Sequence, residues 1–130
     1  MAKAERGPFD LEERTAQFGE RLIRLLRLMP EDVVSTVLIQ QATRSGTSIG
    51  ANYCEANDSG SKKEFRHRIS LCKRESRETK HWLRMLAAAF DSRPDLKEEI
   101  RGLWREAKEL NLIFGKIYRK GAEPQTGSGH

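Results

Sequence analysis

Apolar positions mark four segments of this 130-residue chain, and three of the segments share one spacing. Leu11, Thr15, Phe18, Leu22, Leu25 and Met29 step by four and three residues, which keeps one stripe of a helix facing a partner. This spacing predicts a helix from about Phe9 to Met29, closed by Pro30. A second segment from about Glu31 to Ala56 carries Val34, Leu38, Ile49 and Tyr53 as an apolar edge. Beside that edge runs a polar stripe of Gln41, Ser45, Ser48, Asn52 and Glu55, where a bundle helix would ordinarily be greasy. Ala42, Gly46, Gly50 and Cys54 add a small residue at every fourth position. Glycine costs about 1 kcal/mol in a helix interior, so two at this spacing imply close backbone approach.

Asn57 to Gly60 breaks the second segment, and Ser61 with Glu64 has the spacing of a capping box. The third helix runs to about Phe90 through Phe65, Ile69, Cys72, Ser76, Thr79, Leu83 and Leu86, all in the same four-three spacing. Pro94 follows a second break. The fourth helix spans about Asp95 to Arg119 and repeats the pattern through Leu96, Ile100, Leu103, Ala107, Leu110, Phe114 and Ile117. Four amphipathic helices with short connections and no strand alternation predict an all-α, up-down-up-down antiparallel four-helix bundle. It occupies residues 9–119, between an N-terminal extension (1–8) and a disordered tail (120–130).

Composition narrows the class. Hydrophobic residues make up 37% and charged residues 33%, and no run approaches the ~18 apolar residues of a membrane span. The first residues lack a secretory h-region. Cys54 and Cys72 show no framework spacing, so both are expected as reduced, buried, small hydrophobes of a cytoplasmic protein.

The net charge of +5 matters through its placement. Residues 61–84 hold nine Lys/Arg against three Glu, a surplus of +6 that leaves the rest of the chain at −1. At 100° per residue, Lys62, Arg66, Lys73, Arg77, Lys80 and Arg84 fall in one narrow arc that no acidic side chain shares. Such a stripe can track the phosphates of RNA or DNA, or it can be a solvated face that keeps the protein soluble. No aromatic residue interleaves with it along this helix, so base stacking is not expected. Flanking the core face of the same helix, Leu71, Glu75, Glu78, Trp82, Met85 and Ala89 line up. The aromatic and apolar members, Leu71, Trp82 and Met85, suggest burial against another subunit. The alternative is that Trp82 only widens the core face.

Chemistry is poorly supported. Glu64…His67 and Glu78…His81 have the spacing used by di-iron bundles, but those need the motif on two helices. Here both lie on one helix about 21 Å apart. Ser48, Asn52 and Glu55 lack a histidine on their face, and a serine without a base is a poor nucleophile. Gly46 and Gly50 fit no phosphate loop. No catalytic residue, metal or cofactor is expected, and the polar stripe reads best as interhelical hydrogen bonding that fixes register.

These residues resemble a known family. Gln41, Arg44, Ser48, Ile49, Asn52 and Glu55 are similar to its second-helix pattern. Phe65, Leu71, Glu75, Ser76, Glu78, Thr79, Trp82 and Leu83 are similar to its third helix, and Leu11, Glu12, Thr15 and Phe18 to its start. The family is the small four-helix-bundle proteins first noticed as reading frames in intervening sequences of bacterial 23S ribosomal RNA genes. The likeness extends from about Pro8 to Tyr118. It departs at Ala56, where a Gly commonly follows the motif Glu, and at Cys54 and Cys72, where Ala is frequent. The resemblance implies a ring of copies, typically a homopentamer. It also brings in the accessory variability determinant of diversity-generating retroelements, a basic pentameric barrel that binds nucleic acid and a reverse transcriptase. The expected partners are therefore self, RNA or DNA, and a reverse transcriptase or other protein, with no membrane. The alternative is a protein-binding adaptor with no nucleic-acid role.

Overall fold

The computed structural model describes residues 10–122, which hold four helices and no strand. These are α1 (Leu11–Arg27), α2 (Val33–Asn57), α3 (Lys62–Ala89) and α4 (Pro94–Ala122). Side-chain caps set the starts. The Asp10 carboxylate accepts from the Glu13 N–H, Asp32 from Val34 and Ser35, and Ser61 from Glu64. Glu64 reaches back to the Gly60 N–H at 3.1 Å, which completes a variant of the expected capping box. Pro94 stands in the first turn of α4, where its missing N–H costs nothing. The fourth helix extends three residues beyond its expected end, so Lys120, Gly121 and Ala122 are helical rather than tail. The remaining tail and the N-terminal extension lie outside the described residues.

Neighbouring helices run antiparallel. Ser45 and Thr79 join α2 to α3 through their hydroxyls at 2.9 Å, while Asn52 meets Arg68. Asn111 donates to the Lys73 carbonyl at 2.8 Å and joins α4 to α3. The core is continuous across all four helices, through Phe18, Leu22, Ile49, Ile69, Leu83, Leu103 and Phe114 among others. The α1–α4 seam has the sparsest packing and is laced by Arg14–Glu106 at 2.6 Å and Arg21–Glu99 at 2.8 Å.

The glycines of α2 face α1. A methyl group on Gly46 would overlap Leu22 Cδ2, and one on Gly50 would lie 3.2 Å from Thr15 Oγ1. Close approach is thus the reason for two helix-weakening residues in one stripe. Two expectations fail. Val34 is no core edge: it is 60% exposed, with Val33 and Val37 beside it, because these valines lie on the outward side of α2 while Ser35, Leu38 and Ile39 turn inward. Cys54 is exposed, facing an open depression between α1 and α2, and only Cys72 is buried.

Candidate nucleic-acid interface

The basic stripe lies along the groove between α3 and α4. Lys62, Lys73, Arg77 and Arg84 are exposed; Arg66 and Lys80 are half-buried where they lean on α4. None of the six has a carboxylate within ion-pair distance among the described residues. Three arginines at the helix seams differ: Arg14, Arg21 and Arg44 all pair across them. From Lys62 to Arg84 the stripe is about 33 Å long at 1.5 Å per residue, close to one turn of duplex.

No aromatic residue interleaves with the stripe on α3 itself. Antiparallel packing brings two aromatic rings of α4 against it. The Arg66 guanidinium carbon sits 3.9 Å from the Tyr118 ring centroid, and Lys80 Nζ sits 5.6 Å from that of Trp104. Trp104, Asn111 and Tyr118 are spaced by seven, as are Arg66, Lys73 and Lys80, so the two sets form three rungs. Their shared spacing was the signal in the sequence, but only the chain reversal at Phe90–Arg93 makes it a surface.

The motif stripe of α2 turns toward α3, where Arg44, Asn52 and Glu55 reach across while Gln41 and Ser48 bond within their own helix. Arg44 donates to Glu75 at 3.4 Å, to Glu78, and to Gln41 of its own helix at 3.1 Å. Glu75 is only 7% exposed, so Arg44 compensates a buried charge. The Trp82 indole N–H donates to Glu78 at 3.1 Å; together with Arg44 this holds the Glu78 carboxyl below its ordinary range. Ser48 gives its hydroxyl proton to the Arg44 carbonyl, Asn52 bonds the Ser48 carbonyl and accepts from Arg68, and Glu55 lies 4.0 Å from Arg68. Arg68 Nε is buried with no partner among the described residues. Ile49 is fully buried in the core.

Leu71, Trp82 and Met85 are half-buried along the outer edge of the α2–α3 seam, and Trp82 packs against the core. Antiparallel pairing brings the exposed Val33–Val37 turn of α2 to the same end of the bundle as the C-terminal part of α3. His67 and His81 are both exposed, and no group of three His, Cys, Asp or Glu side chains that could hold a metal occurs among the described residues. Among these residues, no helix is long and apolar enough to cross a membrane.

Comparisons place this architecture. A search of curated proteins found no match. A protein of unknown function from the S23 ribosomal protein family of Bacteroides thetaiotaomicron is similar in structure, with a TM-score of 0.71 and 26% identity. The similarity covers 82% of this chain and 96% of that one. The sequence model of the 23S rRNA-intervening sequence proteins matches residues 9–114. With the α2 and α3 motifs inside that span, the four-helix chain belongs to the 23S rRNA-intervening sequence protein family.

Proposed function

We propose that this protein is a non-enzymatic, self-associating bundle that holds the backbone of RNA or DNA on its α3–α4 face, as a scaffold or accessory factor. One observation carries the reading. Six cations share a single face and have no carboxylate partner among the described residues, while arginines at the helix seams are paired. Unneutralised charge in a line is what phosphates recognise, and it carries little sequence information. Self-association is supported by the apolar end formed by Val33, Val34 and Val37, which are 88%, 60% and 53% exposed. Leu71, Trp82 and Met85 border the same seam. A ring of copies would multiply the stripe. Against catalysis stands the fate of Ser48, whose hydroxyl is committed to its own helix and bonds no base among the described residues.

Reversing two charges, Arg77→Glu with Arg84→Glu, tests the proposal. Affinity should fall alike for unrelated sequences in an electrophoretic shift or anisotropy assay; unchanged affinity would overturn it. The apolar end also suits a protein-binding adaptor. That reading requires binding that is insensitive to salt and lost in Trp82→Ala.

A further inference from the structure

The α4 side of this face carries an aromatic ring that backbone binding alone does not use. Trp104 is half-buried on α4 and borders an open depression of about 600 Å3. The other lining residues are Arg101, Arg105, Lys108 and Glu109, so three of the four are cationic. The Lys80 and Lys108 ammonium groups each lie 5.6 Å from the ring centroid. A tryptophan at a core edge would ordinarily be flanked by apolar or mixed groups. Here cations from two helices surround it, and both are long, flexible side chains that can swing aside. Two heptads away, about 21 Å along the helix, Tyr118 lies under Arg66 in the same arrangement.

Resting on the backbone-binding reading, we propose that Trp104 is a stacking platform for an unpaired base, so the substrate of this face is single-stranded nucleic acid. The chemistry is specific to that substrate. A duplex keeps its bases stacked on each other and offers the ring only phosphate and sugar. A single strand can lay one base on the indole while Lys80, Lys108, Arg101 and Arg105 neutralise the flanking phosphates. Every base has a π face, so the site tolerates any sequence. Stacking also explains why an aromatic ring is worth keeping partly exposed in so charged a surface.

The test uses the two tryptophans of the chain and oligo(dT), oligo(rU) and a mixed-sequence duplex, each about 20 nucleotides per strand. Trp82 lies on the α2–α3 side and bonds Glu78, so emission lost in Trp104→Phe reports Trp104 alone. Either single strand should quench Trp104. Trp104→Leu should bind it about ten-fold more weakly with the salt dependence unchanged, Trp104→Phe should retain most of the affinity, and duplex binding should be the same in all three proteins. Comparing oligo(dT) with oligo(rU) shows which sugar is preferred. Steep salt dependence with single-strand affinity unchanged in Trp104→Leu would overturn the stacking site while leaving backbone binding intact. Equal losses for single strand and duplex would overturn it as well. No binding to any of the three would overturn both proposals.

Discussion

Gly46→Ala sets two effects of opposite sign against each other. Alanine in a helix interior is favoured over glycine by about 1 kcal/mol. The new methyl group, however, would overlap Leu22 Cδ2, and Phe18 lies behind it at 3.7 Å. Leu22 is fully buried, so it cannot turn outward, and overfilling a packed core costs about 1–3 kcal/mol. The expected net loss is about 1 kcal/mol, or roughly 4 °C in Tm for a domain of this size. Gly19→Ala is the control. A methyl there meets nothing within 4 Å, so it should stabilise by up to about 1 kcal/mol. Gly50→Ala falls between, since Thr15 Oγ1 would sit 3.2 Å away. Urea denaturation followed by far-UV circular dichroism gives all three values. Repeating Gly46→Ala in a Leu22→Ala background should turn its effect favourable, because the obstructing methyl is gone. Equal stabilisation by Gly46→Ala and Gly19→Ala would refute the close approach of α1 and α2.

The two thiols should separate chemically: burial pushes Cys72 up to about 12, whereas Cys54 is exposed. A thiol reagent should modify one cysteine in the folded protein and the second only on unfolding, and Cys54→Ser should abolish the native reaction. Glu78 predicts an acid-side dependence. Its bonds from Trp82 and Arg44 lower its pKa, so they stabilise the fold above the ordinary value of 4.5 and are lost as pH falls through the lowered folded value. The stability gap between wild type and Glu78→Gln should therefore be full at pH 7 and close on acidification; a gap independent of pH would contradict the assignment.

The fold was legible because one four-three spacing runs through three of the four segments, and Pro30, Gly60 and Pro94 punctuate the chain. What failed depends on neighbours that a linear reading does not supply. Val34 fits the periodicity of α2, but among the described residues it lies on the outward side and is exposed. Cys54 occupies a small-residue register position at a point where α1 and α2 leave an open depression. The Arg14–Glu106 and Arg21–Glu99 pairs join residues far apart in sequence. Arg44 was visible as a motif residue, yet its service to the buried Glu75 needs the α2–α3 register. Trp104 and Tyr118 join the basic face only through the antiparallel packing of α4 on α3, which the pattern along α3 does not contain.

The most direct test of the central claim is the slope of log K against log salt for nucleic-acid binding. The six cations, with no carboxylate partner among the described residues, predict a strong decline, about 0.7–0.9 per phosphate engaged, and Arg77→Glu with Arg84→Glu should flatten it by about 2. A salt-independent affinity, or a slope the double reversal leaves unchanged, would contradict the claim that this face binds phosphates.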